Sequence, residues 1–372
     1  MTSEPKLFQS ISIGHCPLRH RVVLAPLTRC RAKANHVPNA SLAAKYYEQR
    51  SSVPGTLLIS EAIVIAAKAG GLPHVPNIET KEQIDAWKVI CDAVQRRKCF
   101  IFAQLWAHGR SADASLLREE GDFDVVSASD IPLIGGAKPK ALSIQEIKEY
   151  VELYATAAAN AVHQAGFDGV EIHAANGYLI DQFTQDMTNH RKDQYGGSIE
   201  NRVRFALEVL QAIVDKVGAE KVGIRLSPWE YYNEMRMKDP IPTFTYLVRK
   251  IKESHPDLAW IHVVEPRVTG HDEREILPGE SNDFIREIWA PRPIISCGGY
   301  NRELAIQVAE TKGDIIAFGR QFIANPDLPR RMKEDLPLNP YHRPTFYAPF
   351  ESAIGYIDYP FYDDTIASRA KL

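Results

Sequence analysis

Eight short, nearly continuous apolar runs recur along the chain, and a longer stretch with helical spacing follows each of them. The runs are residues 21–26, 56–62, 99–106, 169–173, 222–226, 259–264, 293–296 and 314–318. Several lack the polar–apolar alternation of a half-exposed strand, so they suit strands buried on both faces, as in parallel sheets covered by helices. Parallel strands need long crossovers, and the intervening stretches supply them. Eight strand–helix units within 372 residues predict an α/β fold, a closed (β/α)8 TIM barrel. An open doubly wound sheet is the competitor, but no Gly-x-Gly-x-x-Gly follows the first run.

The helical stretches carry their own start and stop signals. Thr80-Lys81-Glu82-Gln83 and Ser143-Ile144-Gln145-Glu146 both read as capping boxes, in which hydroxyl and carboxamide or carboxylate satisfy free backbone N–H groups reciprocally. After the second, Ile144, Ile147, Val151, Tyr154, Ala158 and Val162 form one apolar face, with Gly166 placed to end the helix. Val203, Leu207, Leu210, Val214 and Val217 form a second stripe closed by Gly218. Further helices are expected over 39–50, 243–254, 282–290, 302–311 and 326–334. No linker or shift of composition divides the chain, so residues 1–372 read as one domain. The segment before Arg21 is expected to plug the barrel bottom. The stretch 107–142, too long for an ordinary βα loop, is expected to cap the mouth after strand three.

Composition excludes several functions. A net charge of −3 without a long basic run argues against nucleic-acid binding. Five scattered cysteines without Cys-x-x-Cys argue against a disulfide framework or a structural zinc, and imply reduced, intracellular thiols. No stretch reaches the roughly 18 apolar residues of a membrane helix, and the N-terminus lacks a signal-peptide core. The expectation is a soluble, cytoplasmic protein with no membrane partner, with Ala370-Lys371-Leu372 as a variant of the peroxisomal Ser-Lys-Leu address.

In such barrels the reacting groups lie just after the strands. His173 ends the fourth run, and Asn176 and Tyr178 follow it. Imidazole and carboxamide can both donate to one substrate oxygen and stabilise charge developing there. A phenol with a reference pKa near ~10 keeps its proton at neutral pH and can act as a general acid. One such histidine alone would read as structural; three groups after one strand read as a site. Cys297-Gly298-Gly299 and Gly319-Arg320 follow the last two runs, where these barrels bind phosphate. Glycines let backbone N–H groups approach phosphate oxygens, and arginine adds a fork of donors. These residues alone do not separate FMN from a sugar phosphate. Thr28, Gln104 and Arg225, after strands one, three and five, suit the carbonyl and pyrimidine edges of a flavin. A buried Arg225 requires an anionic neighbour whatever its role.

Taken in order, 25–29, 104–106, 173–181, Tyr195-Gly196-Gly197-Ser198-Ile199-Glu200-Asn201-Arg202, 225–228, 297–299 and 318–320 resemble the old yellow enzyme family, and the resemblance runs from about Lys6 to Tyr362. It is closest to fungal members, including those of ergot-alkaloid-like metabolism. The resemblance implies non-covalent FMN, NADPH as reductant, and ping-pong reduction of the activated C=C bond of an enal, enone or nitroalkene. It implies His173 and Asn176 on the substrate oxygen and Tyr178 as the proton donor. It implies Pro26, Thr28, Ala62, Gln104 and Arg225 around the ring, and Gly298, Gly299, Gly319 and Arg320 at the phosphate. Trp106, Tyr232 and Tyr347 would be pocket walls. No metal is implied, and the family includes monomers and homodimers.

Two departures stand out. Thr28 occupies a position where a bacterial branch has Cys, and Ala62 replaces a common glycine. Residues 229–232 and 268–278 match poorly and are expected to set substrate choice. An isomerase is the alternative within the family, although relatives of that kind carry Phe in place of Tyr178. A flavin-free barrel acting on a phosphorylated metabolite would explain the phosphate loops but not the other residues, and a plain binding protein would explain no proton donor.

Overall fold

The computed structural model describes residues 4–347 and 351–363. Among them, eight parallel strands close a barrel. They are β1 (Val22–Leu24), β2 (Leu57–Val64), β3 (Phe100–Trp106), β4 (Gly169–Ala174), β5 (Val222–Leu226), β6 (Trp260–Val264), β7 (Ile294–Cys297) and β8 (Ile315–Phe318). All eight coincide with the apolar runs, with no end moved by more than two residues. The barrel helices are α1 (Ala40–Arg50), α2 (Lys81–Gln95), α3 (Ile144–Ala159), α4 (Arg204–Val217), α5 (Ile241–Ser254), α6 (Asp283–Trp289), α7 (Arg302–Lys312) and α8 (Leu328–Glu334). Both capping boxes form, at Thr80 and at Ser143. No helix of the described residues is long and apolar enough to cross a membrane. The C-terminal tripeptide Ala370-Lys371-Leu372 lies outside the described residues.

Two helical faces differ from expectation. On α4 the buried face is Phe205, Ala206, Val209, Leu210, Ile213 and Val217, while Leu207 and Val214 are only half-buried. The expected stripe runs along one edge of this face, and Phe205, Val209 and Ile213 form its other side. Ile144 is exposed at the first turn of α3, and residues Asn160–Ala165 widen into a π-helical turn before Gly166.

The N-terminal hairpin, Ile11–Ile13 paired with Cys16–Leu18, plugs the barrel bottom. Ile13, Cys16 and Leu18 pack with Phe102, Ala259 and Trp260 in one apolar cluster. Residues 107–142 form a helix (Ala114–Gly121) and a short strand pair, and fasten to the loop after β5. Arg110 donates to the Asn233 carbonyl at 2.8 Å, and the Ile134 N–H to Glu234 at 2.8 Å.

The chain returns past β8 to the first loop, where three buried arginines hold it. Arg29 donates to the carbonyls of Phe346 and Gly355, and Arg31 to those of Thr345, Phe346, Ser352 and Ile354. Arg50 donates to those of Phe322, Ile323 and Tyr356. Tyr46 and Tyr356 stack at 4.3 Å beneath these guanidiniums. Carbonyl oxygens and ring faces thus replace carboxylates as partners for buried cations.

Candidate active site

A cavity of about 480 Å³ opens at the C-terminal ends of the strands. Its wall includes Pro26, Asn176, Arg225, Gly298, Gly299, Gly319, Arg320 and Tyr347, eight of the expected site residues. Gln104, His173 and Arg225 come from β3, β4 and β5 and are placed by strand register. Ala62 pairs with Gln104, Gln104 with Glu171, and His173 with Arg225, which pairs in turn with His262. In parallel strands paired residues point the same way, so these side chains form two stacked layers inside the barrel. A β-bulge between Ile59 and Ala62 re-aims the end of β2.

The His173, Asn176 and Tyr178 group is held tightly. The His173 and Tyr178 rings meet edge to face at 4.9 Å, and Trp106 closes on Tyr178 at 4.8 Å. His173 is buried, and burial with nearby Arg225 lowers its pKa well below the ordinary imidazole value. It is therefore neutral, with one N–H to donate, and its Nδ1 is buried without a partner. Burial and the Tyr232 hydroxyl hold the Tyr178 phenol protonated far above its ordinary range. Asn176 sits in the left-handed region, φ 57°, which asparagine tolerates better than most residues. Its backbone is fixed on two sides: Ser227 Oγ accepts from its N–H at 2.7 Å, and Asn233 donates to its carbonyl at 3.0 Å. Its Oδ1 has no partner. Gly177 follows at φ 74°, and a Cβ there would lie 2.5 Å from Met235. Asp181 accepts from the Gly177 N–H at 2.9 Å and anchors the turn.

Below this group lies a charge cluster that the strand pattern alone does not reveal. Glu171, fully buried, accepts from Gln104 at 2.9 Å, Trp260 at 3.0 Å and His262 Nδ1 at 2.8 Å. Burial alone would raise its carboxyl, but His262, aided by Arg225 and Trp260, holds it below the ordinary value. Arg225 donates through Nη2 to Cys297 Sγ at 3.3 Å, and its Nε is buried without a partner. Arg225 thus touches a thiol sulfur, and the negative charge that the sequence demanded comes from Glu171, which acts without direct contact.

At the far end of the cavity, Gly298 and Gly299 turn with φ 112° and 62°. A Cβ on Gly298 would lie 2.7 Å from Val268. Arg267, which the sequence reading missed, donates to the Gly298 carbonyl at 2.6 Å and stacks on Tyr300 at 4.2 Å. Arg320 lines the wall and also pairs with Glu273 at 2.9 Å. Thr28 is half-buried in the loop beyond Pro26, outside the cavity wall. His271, also missed, stands between Tyr232 at 5.7 Å and Tyr347 at 5.8 Å. It belongs to the poorly matching loop, whose short ribbon (Val268–Thr269 with Asp272–Glu273) contributes several wall residues. None of residues 107–142 lines the cavity.

A glycine turn on the cavity wall at one end and an unpaired guanidinium N–H at the other fit a long anionic ligand carrying a polar-edged ring. Fold and cavity together define a barrel oxidoreductase of the flavin-dependent class. The profile of the NADH:flavin oxidoreductase / NADH oxidase family matches residues 6–339, and the chain belongs to this family. It is 47% identical to an NADP-dependent oxidoreductase of Aspergillus flavus, covering 97% of each chain. It is also 47% identical to a chanoclavine-I aldehyde reductase of Penicillium roqueforti (96% of each) and 44% identical to a probable inactive dehydrogenase of Claviceps fusiformis (96% and 95%). Among solved structures, morphinone reductase superposes with a TM-score of 0.89 at 37% identity over 98% of each chain. An old yellow enzyme from Pichia superposes at 0.87 and 35%, over 97% of this chain and 94% of that one. The cofactor is FMN, and the reductant is a nicotinamide nucleotide.

Proposed function

We propose that this protein reduces the activated C=C bond of α,β-unsaturated aldehydes, ketones or nitroalkenes at the expense of NADPH. The observation that carries the reading is a neutral imidazole, His173, beside a firmly protonated phenol, Tyr178, with the Asn176 carboxamide on the cavity wall. The chemistry FMN supplies when bound is hydride transfer, from the nicotinamide and on to the β-carbon of the acceptor. Pro26, Thr28, Ala62, Gln104 and Arg225 would hold its ring, and Gly298, Gly299, Gly319 and Arg320 its phosphate. Arg225 keeps a permanent positive charge at the ring edge.

His173 donates one N–H and Asn176 its amide N–H to the substrate oxygen, and both bonds strengthen as charge gathers there. Neutral His173 donates without giving up its proton. Tyr178 then gives its phenolic proton to the α-carbon. Tyr347 on the cavity wall would shape the space for the substrate, with Trp106 packed against Tyr178 and Tyr232 against His271 behind it. The aldehyde-reductase name of a relative 47% identical to this chain supports an aldehyde as acceptor.

Purified protein is expected to be yellow, to bleach with NADPH, and to recover its colour with 2-cyclohexenone or a member of an enal and nitroalkene panel. Bleached protein that no member of the panel re-oxidises refutes the reading.

A further inference from the structure

Cys297, His262 and Glu171 form a constellation that the proposed reaction does not use. Glu171 fixes His262 by accepting from Nδ1 at 2.8 Å, which leaves Nε2 buried and without a hydrogen-bond partner. His262 is fully buried on the strand beside Cys297, two residues before Val264, the ladder partner of Cys297, and so on the same face of the sheet. Arg225 donates to the same sulfur from the other side at 3.3 Å. The order carboxylate, imidazole, thiol is that of an activated sulfur nucleophile, with a base oriented by a third group. Cys297 also lies on the cavity wall, immediately before Gly298 and Gly299.

We propose that Cys297 is a nucleophilic modification site for α,β-unsaturated carbonyl compounds, open in the FMN-free protein and covered when FMN is bound. The sulfur adds to the β-carbon. A C–S bond forms, the π pair of the C=C bond moves to the α-carbon, and the proton released by the thiol ends there, so no oxidant or reductant is needed. A ligand that touches both the Arg225 guanidinium and the Gly298–Gly299 backbone covers the sulfur lying between them. That the chain's own substrates are such electrophiles rests on the function proposed above; the reactivity of the thiol does not.

The remaining cysteines provide internal controls. Burial raises the thiols of Cys16, Cys91 and Cys99, and pushes that of half-buried Cys30 up to about 12. For Cys297, burial acts in the same direction, but Arg225 and His262 outweigh it and bring the thiol down to about 7.

The test treats full-length protein with N-ethylmaleimide, in FMN-loaded form, after FMN removal, and after FMN is restored, with adducts mapped by peptide mass spectrometry. Cys297 is expected to be the first site modified in the stripped protein. At free FMN ten times its Kd, labelling should slow about elevenfold, because about one chain in eleven remains open. Cys297→Ser should remove the fast adduct, and His262→Gln should slow it. Modification of Cys30 first, no adduct at Cys297, or equal rates with and without FMN overturns the proposal. Repeating the stripped arm with 2-cyclohexenone checks the substrate class. An enzyme that reduces no enone but still labels at Cys297 with maleimide refutes only the function reading.

Discussion

Glu171→Gln offers a sharp test of how the barrel floor is held together. The carboxylate accepts three buried hydrogen bonds and pairs with His262. A glutamine amide must turn an NH2 toward at least one of three donors, and it leaves His262 without its counter-charge. Removing one partner of a buried ion pair costs about 3–5 kcal/mol. With an unfolding entropy of about 2.1 cal/mol/K per residue, a chain of this length has a total near ~0.8 kcal/mol/K, so Tm should fall by about 4–6 °C.

The pH dependence follows from the two partners. The folded pKa of His262 is raised: burial acts against the charge, but Glu171 outweighs it. Its contribution is therefore complete below the ordinary imidazole range and is lost as pH rises through the raised value. The folded pKa of Glu171 is lowered, so its contribution is present above the ordinary carboxylate range and is lost as pH falls through the lowered value. The gap in Tm between wild type and variant should be widest between these limits and narrow on either side. Thermal melts at matched scan rates across pH measure it. The double variant Glu171→Gln/His262→Asn should lose less than the sum of the single losses, with a coupling of about 0.5–3 kcal/mol. A Tm within about 1 °C of wild type at neutral pH, or strictly additive losses, refutes the argument.

Three further outcomes are expected. Tyr178→Phe should still bleach with NADPH but lose about 100- to 10,000-fold in re-oxidation by an enone, measured by stopped-flow absorbance. Gly298→Ala forces a side chain into φ 112° with its Cβ 2.7 Å from Val268. It should cost about 1–3 kcal/mol, or roughly 1–4 °C in Tm, and weaken FMN binding as read by fluorescence. Ser143→Ala removes the capping hydroxyl of α3. It should lower Tm by about 1 °C and leave FMN affinity unchanged.

The barrel was legible because its signals are local. Continuous apolar runs such as 222–226 mark strands buried on both faces, and the Thr80 and Ser143 boxes lie within four residues of sequence. His173, Asn176 and Tyr178 were legible for the same reason, since a single loop carries all three. The floor of the cavity was not. His262 reads as one polar residue in an apolar run, and its partner Glu171 lies 91 positions away. The α4 face was misjudged because the aliphatic stripe marks only one edge of it, and Phe205, Ala206, Val209 and Ile213 continue the apolar surface beside that stripe. His271 and Arg267 escaped notice because they act through contacts with Tyr347 and Tyr300, which only the folded chain brings close.

The arginine clasp on the returning chain has a consequence for how the enzyme is assembled. Every barrel strand is complete by Phe318, yet Tyr347 and the carbonyls that quench Arg29, Arg31 and Arg50 come later. Until that last stretch docks, three interior cations lack those acceptors and the rim lacks one aromatic side. Trimming the chain before Thr345 would therefore unsettle the first loop as well as reshape the opening, so the tail behaves as a keystone and not as an overhang.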